Sequence, residues 1–168
     1  MSNILRKING FLAASLAGSI AFCAVFTAVN ANPLAADVRL HVITDPRSGL
    51  ALFGYDPVAY HVDHVARLGL PEHQAMLDGR LWIFSSAANK AAFEADTSAY
   101  IPLFGGHDGT SVSDGILAKG DPEMFLIASG QLVLFRNEDN RSRFVSDAML
   151  RQKARQGWPD LVRQQAAH

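Results

Sequence analysis

Apolar and polar residues alternate or run together in short stretches that predict a small set of compact elements. Residues 38–44 (VRLHVIT) alternate and are rich in β-branched side chains, so they predict a strand, followed by a turn over residues 45–49. An Asp-Gly pair inside residues 74–84 and a Ser-Gly pair inside residues 124–135 each separate two apolar runs. Because such dipeptides favour tight reversals, each stretch predicts a β-hairpin.

Helical patterns follow each predicted hairpin. Residues 87–95 (AANKAAFEA) are good helix formers, and Ser85 or Ser86 can cap their N-terminus. Residues 96–104 predict a brief turn or helical stretch that ends in aromatic residues.

The remainder of the chain is less regular. Residues 105–120 predict a flexible loop that begins with Gly-Gly-His-Asp-Gly. Residues 137–156 predict a helix that Gly157 ends, with Pro159 opening a last turn. Hairpins separated by helices, without strict strand–helix alternation, indicate an α+β fold with a small antiparallel sheet. The sequence gives no sign of an internal repeat.

The N-terminus is distinct from this pattern. Arg6 and Lys7 precede a nearly uncharged apolar run over residues 8–29, and small residues precede a cut after Ala31, with Ala36 as a second possible cut. This is typical of a secretory signal peptide, although the run is also long enough for an uncleaved membrane anchor. We therefore divide the chain into a signal peptide or anchor, residues 1–31, and an α+β domain, residues 38–165.

Composition narrows the function classes. The chain has 168 residues, 18% of them charged, and a formal net charge of −1, so it offers no basic field for nucleic acid. Its one cysteine, Cys23, lies in the apolar segment. The exported domain therefore has no disulfide, thiolate ligand or thiol nucleophile. We expect a periplasmic or secreted protein that contacts a membrane only through residues 1–31, and is anchored in the inner membrane if that segment is not cleaved.

Two histidine motifs are candidate metal ligands. His61 and His64 are three residues apart with aspartates nearby, a spacing that can bind a divalent ion on one helix face, whereas in a loop they are ordinary polar residues. His107 and Asp108 directly follow two glycines, where a backbone can approach a ligand, but a turn is the simpler interpretation. No serine lies in a nucleophile-elbow sequence and no glycine-rich loop has phosphate-cradle spacing.

The order of several motifs is more informative than any single one. GYDPVAYH opens at residue 54, DGRLWIFSSAANKAAFEADTSAYIPLFGG at residue 78, and GDPEMFLIASGQLVLF at residue 120. Together they resemble the YHS-domain family in its larger exported bacterial form, over about residues 47–160. The resemblance implies a small α+β domain. It also implies that the chain is related to domains that bind metals through cysteines.

The residues that carry this chemistry in the family are replaced here. The resemblance places the family's three cysteine ligands at Ala59, Ser85 and Asn89, none of which can supply a thiolate. It places a further cysteine or selenocysteine of the longer members at Asp108. The usual metal or redox centre is therefore not expected in this chain.

Two functions remain open from the sequence. The first is a non-enzymatic accessory or interaction protein with an unknown protein partner, linked to metal handling or redox only through its family. The second is a binding protein for Cu(II), Zn(II) or Ni(II) with harder ligands: His107, Asp108, His61 and His64. A redox enzyme component ranks below both, because no nucleophile or acid–base pair can be named.

Overall fold

The computed structural model describes residues 41–166, which form an α+β fold of two antiparallel two-stranded sheets and six helices. Residues 1–40, including the predicted signal or anchor segment, lie outside the described residues. The strands are β1 (Leu70–Leu77), β2 (Arg80–Phe84), β3 (Asp121–Ala128) and β4 (Gln131–Phe135). The helices are α1 (Ala59–Val62), α2 (Ala87–Ala95), α3 (Thr97–Tyr100), α4 (Gly109–Ser113), α5 (Glu138–Ser146) and α6 (Ala148–Ala166).

Both predicted hairpins are confirmed. In the β1–β2 turn, Asp78 and Gly79 have φ angles of 49° and 73°, and in the β3–β4 turn, Ser129 and Gly130 have φ angles of 51° and 75°. Two consecutive left-handed residues match the right-handed twist of the flanking strands, which explains why these dipeptides fix the register. Each first strand begins earlier than predicted and carries an irregularity near its start.

Two hydrophobic cores share strand β4. Leu132 and Leu134 belong to a first core that also contains Tyr60, Trp82 and Phe93. The intervening residues of β4 face a second core, which comprises Phe104, Val112, Val133, Phe135, Phe144, Leu150, Ala154, Trp158 and Val162. Since successive side chains of a strand point to opposite sides, this short strand holds both cores together.

The structure reveals an internal repeat that the sequence analysis did not find. Residues 69–96 and 120–147 have the same succession of strand, two-residue turn, strand, capped helix and capping aspartate, offset by 51 positions. Nine of these 28 aligned positions are identical, among them the glycines before each hairpin and the Phe93–Phe144 pair. We call residues 52–96 the first repeat and residues 104–147 the second repeat.

The 3₁₀ turns that open the repeats have the same backbone path. Leu52, Phe53 and Gly54 have φ angles of 50°, 56° and 84°; Phe104, Gly105 and Gly106 have φ angles of 58°, 59° and 83°. Left-handed conformations are costly for leucine and phenylalanine. Leu52 and Phe104 are both fully buried, and this burial offsets that cost.

A glycine after each 3₁₀ turn permits a close backbone contact. A Cβ atom on Gly69 would lie 2.4 Å from the carbonyl carbon of Ile83, and one on Gly120 would lie 2.5 Å from the Cβ atom of Leu134. Ile83 and Leu134 are themselves equivalent residues in the two hairpins. The repeat therefore preserves the contact between the incoming chain and the hairpin as well as the hairpin itself.

Predictions for the less regular segments were partly wrong. Of the predicted strand over residues 38–44, the described part, residues 41–44, forms only an isolated bridge between Thr44 and Ala51. The turn over residues 45–49 is confirmed, since the Gly49 amide donates to the Asp45 carbonyl at 2.8 Å. The predicted flexible loop over residues 105–120 instead contains the buried helix α4, because Asp108 caps it and Val112 anchors it in the second core.

Helix α2 has the predicted bounds and is capped by Ser86, whereas the C-terminal helices differ from the prediction. The predicted helix over residues 137–156 is broken at Asp147, which caps α6. Helix α6 continues through Gly157 and Pro159 to Ala166. Trp158 and Val162 are almost fully buried, so packing outweighs the hydrogen bond that proline removes. Within residues 41–166, no helix combines the length and the apolar character needed to span a bilayer.

Candidate functional site

The GYDPVAYH segment forms a packed corner around a buried carboxylate. Val58 and Tyr60 lie in the first core with Trp82 and Phe84, and Tyr55 packs at its edge. Burial raises the pKa of the Tyr60 phenol far above its usual range, so the phenol is neutral and donates to the Pro122 carbonyl at 2.9 Å. This bond ties the first repeat to the start of β3 in the second.

The Asp56 carboxylate accepts five hydrogen bonds. Its Oδ1 atom accepts from the Val58 and Ala59 amides at 2.8 and 3.4 Å, at the entry to α1. Its Oδ2 atom accepts from the Ser85 amide and hydroxyl at 2.8 and 2.7 Å and from the Asn89 side-chain amide at 2.7 Å. The side chain is fully buried. Asp56 therefore joins α1 to the end of β2 and to α2.

This network brings together the three positions that the resemblance marks as cysteine ligands. Ala59 lies far from Ser85 and Asn89 in sequence, whereas Ser85 and Asn89 are four residues apart. Ala59 contacts the Asp56 carboxylate through its backbone amide, and Ser85 and Asn89 contact it through their side chains. Asn89 also donates to the Ser85 hydroxyl at 3.2 Å. A carboxylate has about four lone-pair sites, and five donors already occupy them. Oxygen and nitrogen groups that hydrogen-bond to each other thus fill the space where the family's ligands are expected.

Asp108 plays the equivalent role in the second repeat. Its Oδ1 atom caps α4 by accepting from the Thr110 and Ser111 amides at 2.8 and 3.2 Å. Its Oδ2 atom accepts from the Arg136 amide at 3.0 Å and the Asn140 side-chain amide at 2.5 Å. The side chain is fully buried. Asp108, predicted as a candidate metal ligand, is thus committed to four hydrogen bonds within the fold.

His107 points away from this network into a different environment. Its Nδ1 atom lies 2.9 Å from the Phe104 carbonyl oxygen, and its ring lies 5.8 Å from Trp158. Because a carbonyl only accepts, Nδ1 carries the proton in this arrangement. Burial, and to a lesser extent the positive charges of His41 and Lys119, lower the pKa of His107. The same positive charge disfavours a divalent cation beside this ring.

His61 and His64 do not join that environment. The His61 ring packs edge-on against Tyr100 at 5.4 Å, and its Nε2 atom is buried without a hydrogen-bond partner. Burial and the neighbouring His64 lower the pKa of His61. His64 is exposed, has a left-handed φ of 56°, and lines a surface groove beside β3. The two imidazole rings thus lie in different environments although His61 and His64 are only three residues apart.

The four predicted ligands are not assembled into one site. Across residues 41–166, no group of three or more histidine, cysteine, aspartate or glutamate side chains lies close enough to hold a metal ion. Asp108 is enclosed by amide donors, and His107 lies among cationic groups. The combination of His107 and Asp108 with His61 or His64 therefore lacks support from the geometry.

Asp56 does not stand out in the sequence, because an Asp-Pro pair is an ordinary turn signal. The sequence feature that indicates Asp56 is a pattern of an aspartate and a later asparagine that occurs once in each repeat. Asp56 precedes its amide partner Asn89 by 33 residues, and Asp108 precedes Asn140 by 32. An aspartate before a hairpin and an asparagine in the first turn of the helix after it, found twice, indicate one carboxylate network per repeat.

No protein-family model, curated protein or solved structure matches the chain. The resemblance to the YHS family therefore stays an interpretation of the motifs. What the geometry adds is that three motif positions, separated in sequence by up to 30 residues, meet at one carboxylate.

Proposed function

We propose that the chain is an exported, non-enzymatic accessory protein of the YHS type, in which a hydrogen-bonded polar network replaces the metal site. The observation that supports this proposal is the meeting of Ala59, Ser85 and Asn89 at the buried Asp56 carboxylate. Chance is a poor explanation for the meeting of one motif residue in α1 with two motif residues about the start of α2 at one carboxylate. A shared scaffold with altered ligands explains both the convergence and the lost cysteines.

The network favours a structural role over catalysis or metal binding. Asp56 and Asp108 are fully buried, and their oxygens accept nine hydrogen bonds from named donors. A metal at either carboxylate would have to displace several charge-assisted hydrogen bonds, each worth about 1.5–3 kcal/mol. A general base needs a lone pair that substrate can reach, and neither carboxylate offers one.

The accessory role and the location rest on other features. The N-terminal segment is the feature that supports export, and export would make the protein periplasmic, secreted or held at the inner membrane. Of the large apolar side chains exposed in the described chain, four lie within nine residues: Val62, Val65, Leu68 and Leu70. Such a concentration is typical of surfaces that contact other molecules, and it supports a role by contact rather than by chemistry.

Calorimetric titration of the exported protein with Cu(II), Zn(II) and Ni(II) tests this proposal. We expect the wild-type protein to show no one-to-one binding at micromolar metal. We expect the triple variant Ala59→Cys, Ser85→Cys and Asn89→Cys to gain a one-to-one Zn(II) site under reducing conditions, because three thiolates would then converge.

A matched control places the same number of cysteines on three separate helices at exposed alanines: Ala88, Ala99 and Ala148. This control should bind zinc no better than the wild-type protein. Stoichiometric binding by the wild-type protein would contradict the proposal and favour the alternative with histidine and aspartate ligands. A folded triple variant without a zinc site would count against the YHS resemblance.

A further inference from the structure

A short surface segment at the junction of α1 and β1, residues 62–70, concentrates exposed apolar side chains. Val62, Val65 and Leu68 are 62%, 41% and 59% exposed, and Leu70 is 44% exposed. Large apolar side chains grouped in this way on a surface indicate a contact with another molecule. We call residues 62–70 the α1–β1 segment.

The main chain holds this segment against the GYDPVAYH corner. The Asp56 amide donates to the Arg67 carbonyl at 2.8 Å, and Leu68 forms an isolated antiparallel bridge with Tyr55. Because these main-chain contacts fix the segment, its side chains are placed before any partner arrives. Association then costs less conformational entropy than it would for a free loop.

The second repeat shows that the fold does not require apolar side chains in this segment. Lys119 forms the same isolated bridge with His107, so Lys119 takes the place of Leu68. Asp121 opens β3 as Leu70 opens β1. One backbone path therefore carries two leucines in the first repeat and two charged residues in the second. The exposed leucines are a property of the first repeat's surface and not a demand of the scaffold.

The order of side chains in the segment is self-complementary. Val62 and Leu68 are equally far from Val65 along the chain, and so are the oppositely charged Asp63 and Arg67. Asp63 and Arg67 form an ion pair at 3.3 Å, and both side chains stay partly exposed. In a two-fold contact, residue i of one copy meets residue j of the other, and j meets i. A two-fold axis at Val65 therefore sets apolar against apolar and acid against base.

We propose that the α1–β1 segment binds a second copy of this chain across a two-fold axis near Val65. Val65 then meets its own equivalent, and Val62 meets the partner's Leu68. Asp63 meets the partner's Arg67, and these opposite charges favour the antiparallel arrangement, whereas like charges would oppose it. The inference rests on the role by contact proposed above, because it names the partner for the same four apolar side chains.

The size of the segment sets the expected strength of the dimer. Stable interfaces contain about 20–30 residues a side, and the α1–β1 segment has nine. We therefore expect a weak dimer with a dissociation constant in the micromolar range. Sedimentation velocity of the purified protein, from low to high micromolar concentration, should show the monomer converting into a dimer.

Leu68→Lys tests the apolar part of the contact. We expect this variant to dimerise at least about tenfold more weakly, because it places an uncompensated charge in the contact. Its fold should be intact, since Lys119 occupies the equivalent position in the second repeat. Ile116→Lys is the matched control. Ile116 is 57% exposed and follows a left-handed residue as Val65 does, but it lies in the second repeat, so this variant should dimerise as the wild-type protein does.

Asp63→Arg and Arg67→Asp separate a contact between copies from the ion pair within one copy. Each variant alone sets like charges against each other and should dimerise at least about tenfold more weakly than the wild-type protein. An equimolar mixture of the two variants should regain the dimer, because the arginines of one chain then face the aspartates of the other. Neither chain of that mixture has the internal ion pair, so the regained dimer can come only from a contact between copies.

Three results would overturn the proposal: a monomer at every concentration, a dimer that Leu68→Lys and Ile116→Lys affect equally, or a mixture of charge variants that stays monomeric. A monomer that also binds no metal would leave the accessory role in place and assign this surface to a different protein. The failure of the dimer and the failure of the proposed function are therefore distinguishable.

Discussion

Replacement of Asp56 by asparagine changes one buried oxygen into an amide group and removes the charge. In the better of its two orientations, the amide keeps its oxygen towards Ser85 and Asn89 and turns its NH₂ towards the Val58 and Ala59 amides. Those two donors, now 2.8 and 3.4 Å from another donor, lose their acceptor. A buried donor without a partner costs about 1–3 kcal/mol, and the remaining bonds weaken without the charge.

We therefore expect Asp56→Asn to lower the free energy of unfolding by about 3 kcal/mol. Domains of this size have about 5–15 kcal/mol in total, so the variant should still fold at room temperature. Urea titrations followed by far-ultraviolet circular dichroism provide the measurement. Asp108→Asn should cost a comparable amount, because its Oδ1 atom also accepts from two successive backbone amides and its Oδ2 atom also accepts from an asparagine side chain.

Asp114→Asn is the control for this experiment. Asp114 is exposed, and its replacement should change the free energy of unfolding by less than about 0.5 kcal/mol. If Asp56→Asn and Asp108→Asn were as mild as this control, the carboxylates would not organise the repeats and the reasoning would be refuted. A large loss for one aspartate alone would refute the equivalence of the two networks.

Three further substitutions test other parts of the fold. Gly120→Ala should lower the free energy of unfolding by about 1–3 kcal/mol in a urea titration, because its Cβ would meet Leu134 at 2.5 Å; an unchanged midpoint would refute that contact. Gly157→Ala should raise stability by about 0.5–1 kcal/mol, since it lies inside α6 with open space around its Cβ; a loss would show that the helix is not continuous there. His107 has a lowered pKa in the folded state, so part of the stability is lost as the pH falls below the unfolded value of 6.5. His107→Asn retains a donor for the Phe104 carbonyl and should reduce that loss in unfolding titrations at pH 7 and pH 5, whereas an unchanged pH dependence would contradict the lowered pKa.

Local sequence signals sufficed for the elements whose causes are local. The two hairpins follow from left-handed turn dipeptides between apolar runs, and α2 follows from a serine cap and good helix formers. Helix α4 could not be predicted in this way, because Gly109, Thr110 and Ser111 are weak helix formers. It exists because Asp108 caps it and the second core buries it. Likewise, distant packing of Trp158 keeps α6 helical through Pro159.

The repeat and the candidate site could not be recognised in the sequence, for related reasons. The identities between the repeats are glycines, single polar residues and apolar core residues, each of which taken alone is common in a globular protein. Histidine pairs attract attention by their spacing, whereas Asp56 acquires its importance only when Ser85 and Asn89 fold onto it. A carboxylate network that spans about 30 residues leaves no local periodicity.

The central claim is that the Asp56 and Asp108 carboxylates are structural acceptors rather than metal ligands. The most direct measurement is a Zn(II) titration of the purified protein, followed through the amide signals of the residues that donate to these carboxylates. These signals belong to Val58, Ser85, Thr110 and Arg136. The account predicts that all four stay unchanged through one equivalent of zinc. Saturating shifts of these amides at one equivalent, reversed by a chelator, would contradict it.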